Sequence, residues 1–340
     1  MKRLKALLGL AKRPEVGVGL TPADVVFTEN KWRLLRYREG PAGRGKGAPL
    51  LMIPSLINRH YVLDLMPGKS MVEYLVSLGH DVWIVDWGTP TAEDRYLEFD
   101  TIAGAYIGRA LRRVAAASPT GKAHVLGYCL GGTLAAIHLA VHPERVQSFI
   151  ALATPVRFQA DGDGAGLLER WTKVPSFDVE ALVRGTGLVP WQLLQASFTL
   201  LRPTANLSKL VHFIDRADDD AFVEGFHALE TWANDNVSFP GAAYARYISA
   251  LYQDNDLFND RLMLDGRPVR LGEIACPTLA ITFGQDTIVP LPAARAFLEK
   301  LKGRGEELHL AGGHVGGVVA SSARKRLWPH VHAWLARHDA

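Results

Sequence analysis
The chain has 340 residues, enough for one large α/β domain with an insertion or for two ordinary domains, and 48% of them are hydrophobic, which supplies a sizeable core. A net charge of +3 suits a small anionic substrate but is too weak and too scattered to argue for nucleic-acid binding. Two cysteines, Cys129 and Cys276, make no disulfide framework and fit a reducing, cytoplasmic compartment; no apolar run reaches the roughly 18 residues of a membrane span.

Residues 1–13 pair a basic start with a short apolar stretch and a second basic pair, and no small-residue cleavage site follows. This reads as a frayed or surface-touching N-terminal segment, 1–20, rather than a signal peptide. Residues 25–28 and 32–37 predict two strands joined by a tight turn at Glu29-Asn30-Lys31. After a Gly-rich loop at 41–49, Leu50-Leu51-Met52-Ile53 is a continuous apolar run typical of a strand buried on both faces. A helix is expected over 71–78, ended by Gly79, then a buried strand over 81–86. A long helix over 101–117 puts Ile102, Tyr106, Ala110 and Val114 on one face.

The strand Ala123-His124-Val125-Leu126 runs into Gly127-Tyr128-Cys129-Leu130-Gly131, and a helical run follows from Gly132. A lone cysteine is more often a small buried hydrophobe, but glycines on both sides between a strand and a helix reverse that reading. This is the nucleophile elbow of the α/β-hydrolase fold, with Cys where Ser is usual. Side chains at positions 127 and 131 would collide with the neighbouring strand and helix. The helix N-terminus favours a thiolate at Cys129. In this fold one oxyanion donor is the N–H after the nucleophile, here Leu130, and the other comes from the loop after the preceding buried strand, assigned here to Leu56.

Another strand is expected over 146–153. From 155 to about 270 the alternation of strands and helices stops; residues such as Trp171, Trp191, Phe213, Trp232, Tyr244, Tyr247 and Tyr252 mark a helical insertion, read as a lid over the nucleophile. The sheet resumes with 277–283, whose carboxyl end carries Asp286, then a helix over 292–301, a short strand over 307–310 and the loop Gly312-Gly313-His314, with a last helix over 323–337. The expected architecture is therefore a mostly parallel sheet with helices on both faces: core 21–154 and 271–340, insertion 155–270.

Nucleophile, acid and histidine follow the hydrolase order as Cys129, Asp286 and His314, each at the carboxyl end of a strand. Asp286 either orients His314 or helps deprotonate an incoming hydroxyl. The remaining His residues, including His124, His138 and His142, read as structural, and Cys276 as a core residue. No cluster has metal spacing and no cofactor is called for. A sulfur nucleophile suits acyl transfer from a soluble thioester, because one thioester is exchanged for another and the acyl-enzyme stays reactive toward an alcohol.

The chain resembles the catalytic subunit of polyhydroxyalkanoate synthases. The resemblance is carried by Pro54-Ser-Leu-Ile-Asn-Arg-His-Tyr-Val-Leu-Asp-Leu65, Asp86-Trp-Gly-Thr-Pro90, Gly127-Tyr-Cys-Leu-Gly-Gly-Thr133, Gly284-Gln-Asp-Thr-Ile-Val-Pro290 and Gly312-Gly-His-Val-Gly316, with a looser match over 232–257. It implies polymerisation of (R)-3-hydroxyacyl-CoA with release of CoA, with the catalytic roles on Cys129, Asp286 and His314. The chain looks short beside the single-subunit synthases, which carry a long N-terminal domain. Its size is similar to the two-component synthases, which implies a smaller accessory subunit and short-chain substrates such as 3-hydroxybutyryl-CoA. A second copy of the chain, forming a homodimer, and a polyester granule surface are further partners in keeping with the resemblance. A cysteine-dependent thioesterase of the same fold is the alternative, and a non-catalytic granule scaffold the reading from another class. CoA-contacting residues are not legible; Arg246 in the insertion is no better a candidate than a solvated surface charge.

Overall fold
The computed structural model describes residues 16–159, 172–174, 177–201 and 205–339. Most of the N-terminal segment and Trp171 lie outside the described residues. An eight-stranded sheet forms the centre: β1 (Ala23–Glu29), β2 (Trp32–Tyr37), β3 (Leu50–Ile53), β4 (Val82–Asp86), β5 (Ala123–Tyr128), β6 (Val146–Leu152), and, after the insertion's four two-residue strands β7 (Leu188–Val189), β8 (Phe239–Pro240), β9 (Met263–Leu264) and β10 (Arg267–Pro268), β11 (Thr278–Phe283) and β12 (Gly305–Leu310). The order across the sheet is β1-β2-β4-β3-β5-β6-β11-β12. Pairings from β4 to β12 are all parallel, while β1 and β2 join one edge antiparallel.

Strand alternation divides the core into two layers. Leu51 and Ile53 pack with Val125 and Phe149 under the helices that carry Ile107, Leu134 and Phe297. Leu50 and Met52 face the other way, with Leu126 and Ile150, toward Leu75, Trp328 and Leu335. Each such side chain, wholly enclosed, contributes about 1.5–3 kcal/mol of burial free energy. The expected strands and helices are present with end shifts of a residue or two, with two exceptions. The helix expected over 101–117 begins as a π-helix, Thr101–Tyr106, before becoming α over Ile107–Ala115; the Ala103 carbonyl there accepts from His138 Nδ1 at 2.8 Å, which draws it out of a regular ladder. The last helix is broken into Ser321–Arg326 and Trp328–Arg337. Pro329, near the start of the second piece, has no N–H and its ring would collide with the carbonyl four residues back, so the first helix cannot run through it.

Between β6 and β11 the chain leaves the sheet. Helices Val179–Thr186, Trp191–Leu201, Ala205–Asp215, Asp220–Asn234 and Gly241–Arg246 follow one another, and the last continues as a π-helix, Tyr247–Gln253. No helix among the described residues is long and apolar enough to cross a membrane.

Candidate active site
The elbow is set by contacts that leave no room for side chains. A Cβ on Gly127 would sit 2.3 Å from Gly132 Cα, and one on Gly131 would sit 2.1 Å from the Ile53 carbonyl oxygen. Between them Cys129 adopts φ 55°, ψ −129°, a left-handed conformation that a non-glycine residue holds only under constraint. The constraint is visible: Cys129 N–H donates to the Leu152 carbonyl of β6 at 3.0 Å, and its own carbonyl accepts from Gly132 and Thr133. The sulfur is thereby lifted off the sheet at the start of helix Leu130–Val141.

Asp286 lies just beyond β11. Its Oδ1 accepts from the N–H groups of Ile288 and Val289 at 2.9 and 2.8 Å, which leaves Oδ2 aimed at His314, whose Nδ1 donates to it at 2.7 Å. An aspartate that closes its own turn is thus also the partner of the histidine. His314 follows β12 in a loop where Gly312 has φ 126°. Its ring is stacked on Tyr128 at 5.1 Å and 26°, and its carbonyl accepts from the Tyr128 hydroxyl at 3.3 Å. Cys129 is close enough for its charge to act on the imidazole. Burial is the largest influence on His314 and works to lower its pKa. The Cys129 charge, the hydrogen bond to Asp286 and the Asp286 charge outweigh burial and raise it to about 10. Cys129, Asp286 and His314, from the ends of β5, β11 and β12, therefore meet at one point.

The two amides expected to receive an oxyanion differ in what surrounds them. Neither Leu130 N–H nor Leu56 N–H donates to any described residue. Leu130 lines the cavity into which Cys129 opens, together with Ile57; the Leu56 side chain faces a separate small cavity beside Trp87 and Pro240. The cavity at Cys129 holds about 50 Å³ and is walled mostly by apolar groups: Leu194, Tyr244, Tyr247, Ile248 and Val289 among them. The sequence pattern displays Leu194, Tyr244, Tyr247 and Ile248 of the insertion as aromatics and apolars without indicating what they cover; the i, i+3, i+4 spacing of Tyr244, Tyr247 and Ile248 is the available signal for a shared face.

A larger groove of about 780 Å³ lies on the far side of the same helix, lined by Arg95, Arg184 and Arg246 with Glu98, Asp100 and Glu180. Neither Cys129 nor His314 lines it, and its wall mixes cations with anions, so size alone does not make it the reaction site. Arg246 itself pairs with Asp100 at 3.7 Å. His124 is held by Ser148 and Asp339, His138 by the Ala103 carbonyl, and His142 lies 3.9 Å from Asp265, all away from Cys129. Cys276 is half-buried against the core, and burial pushes its thiol up to about 11. Among the described residues no group of three or more His, Cys, Asp or Glu side chains is arranged to hold a metal ion.

Comparison with known proteins adds three findings. The α/β hydrolase fold family matches residues 48–317, and the family described as poly-beta-hydroxybutyrate polymerase (PhaC) N-terminus matches residues 11–75. The poly(3-hydroxyalkanoate) polymerase subunit PhaC of Haloferax mediterranei is 35% identical over 96% of this chain and 66% of its own length; that of Allochromatium vinosum is 33% identical over 94% of this chain and 90% of its own. Among solved structures, a carboxylesterase of the thaumarchaeon Nitrososphaera gargenis superposes with a TM-score of 0.54 at 14% identity, covering 93% of this chain and 98% of that one, a likeness of fold.

Proposed function
We propose that this chain, which belongs to the poly(3-hydroxyalkanoate) polymerase (PhaC) family, joins (R)-3-hydroxyacyl-CoA units into polyester with release of CoA through an acyl-Cys129 intermediate. The Cys129 thiolate attacks the thioester carbonyl, and the amides of Leu130 and Leu56 receive the oxyanion. The tetrahedral intermediate collapses with loss of the CoA sulfur, which takes the proton held on His314. The hydroxyl of a second unit then gives its proton to His314 and attacks the Cys129 thioester, so an ester C–O bond forms, the C–S bond breaks and the thiolate returns. Asp286, its other oxygen fixed by two backbone amides, orients His314 throughout.

The observation that carries this reading is a sulfur nucleophile, partnered by a histidine, opening into a small apolar cavity. Sulfur keeps the acyl group activated and the apolar wall keeps water from it. The small cavity supports a short-chain acyl group, and the insertion 155–270 acts as its lid. The reading includes a smaller accessory subunit and work at a polyester surface in the cytoplasm. The test is incubation with 3-hydroxybutyryl-CoA, with and without such a subunit, following thiol release and turbidity. CoA release with an insoluble product, both lost in C129A, is expected; release of free 3-hydroxybutyrate alone replaces polymerisation with thioester hydrolysis.

A further inference from the structure
The π-helical turn Tyr247–Gln253 widens the backbone by one residue per turn, a geometry concentrated at functional positions, and it faces the cavity of Cys129. Tyr247 is fixed there by its neighbours: its ring stacks on Phe239 at 5.9 Å and 11°, and meets Phe158 edge-on at 6.4 Å. Its hydroxyl donates to the Tyr252 hydroxyl at 3.3 Å, and its oxygen accepts from no described residue. Burial, then the charge and hydrogen bond of Tyr252, then the charge of Cys129 hold this phenol well above its ordinary pKa, so it stays neutral within electrostatic reach of the sulfur. A phenol oxygen with an unused lone pair, in a wall that is otherwise mostly apolar, is a polar group waiting for a donor.

We infer that Tyr247, backed by Tyr252, determines specificity for hydroxylated acyl groups: its oxygen accepts a hydrogen bond from the 3-hydroxyl of the unit being loaded onto Cys129. The inference rests on the polymerase reading and narrows it. The proton of Tyr247 is already given to Tyr252, so the pair presents an acceptor, which a C–H at the same place cannot satisfy. Ser197, whose hydroxyl donates to the Leu193 carbonyl at 2.9 Å, is the rival acceptor in the same cavity.

The test compares CoA release from (R)-3-hydroxybutyryl-CoA and from butyryl-CoA in a single turnover, with the accessory subunit present. The readout is the ratio of the two second-order rates, from which any loss of folded enzyme divides out. Y247F is expected to lower that ratio about tenfold, the scale of one neutral hydrogen bond. Y252F, which removes the group that fixes the Tyr247 proton, is expected to lower it less. A ratio unmoved in Y247F, or moved by S197A instead, overturns the inference while leaving the polymerase reading intact. A wild-type enzyme that releases CoA from neither ester overturns both.

Discussion

At the scale of single residues, the state of the sulfur controls the state of the imidazole. The leading influence that raises His314 toward about 10 is the charge on Cys129. Acylation removes that charge, so the same ring that holds a proton for the departing CoA becomes a base for the incoming hydroxyl. With the folded pKa above the ordinary 6.5, the imidazolium's contribution to stability is complete below about 6.5 and is lost as pH rises through about 10. In an NMR titration of the ring, His314 should stay protonated until near pH 10 in the resting enzyme and titrate clearly lower in C129A; an unchanged midpoint in C129A would refute the pairing. The elbow glycines admit an equally local test. In G127A or G131A the added methyl meets backbone 2.3 or 2.1 Å away, which no rotamer change relieves. Each should lower stability by about 1–3 kcal/mol or more in denaturant unfolding, and a wild-type midpoint for G131A would show that the β3 carbonyl yields.

At the scale of elements, the loop after β3 is tied to the insertion by a set of polar contacts. Asp235 accepts from Arg59 Nε at 2.9 Å and from the Tyr61 hydroxyl at 2.8 Å; Trp232 Nε1 donates to the Arg59 carbonyl at 3.0 Å; Asn58 hydrogen-bonds Asn236, which in turn donates to Gln195. Gln195 lies on the helix that brings Leu194 and Ser197 to the cavity, so the loop carrying Leu56 and Ile57 moves with the insertion. D235A removes the carboxylate that accepts from Arg59 Nε and the Tyr61 hydroxyl and should cost about 1–2 kcal/mol of local stability. Hydrogen exchange over 57–61 and 232–237 should speed up together, less so in D235N; exchange that rises in one segment only argues against the coupling. Such links show where sequence reading reaches its limit. Cys129, Asp286 and His314 stood out because glycines, turns and strand ends flag each of them locally. Asp235 carries no such punctuation, since what it touches is far along the chain, and the spacing of the cavity tyrosines shows a shared face without showing that it covers Cys129. The break at Pro329 had a local signal, whereas the π-turn at 101–106 depends on His138, which reaches it from another helix.

At the scale of the whole molecule, a parallel sheet delivers three distant side chains to one edge, and the insertion decides what else arrives there. Whether the acyl group on Cys129 passes to an alcohol or to water then depends on how dry the cavity is. Leu194, buried on helix Trp191–Leu201, is the side chain with which to test this. Truncation to alanine costs about 2–5 kcal/mol in a packed core, yet an enlarged apolar void tends to stay empty, because a water entering it finds no partner. Serine at the same position leaves a similar space and adds a hydroxyl one turn from Ser197, giving a water two groups to bind. The fraction of acyl groups released as free 3-hydroxybutyrate should therefore rise several-fold in L194S and little in L194A, measured as free acid against polymer from the same substrate. If both variants shift the partition equally, room rather than wetness governs the choice; if neither does, water reaches Cys129 by a route that the insertion does not control.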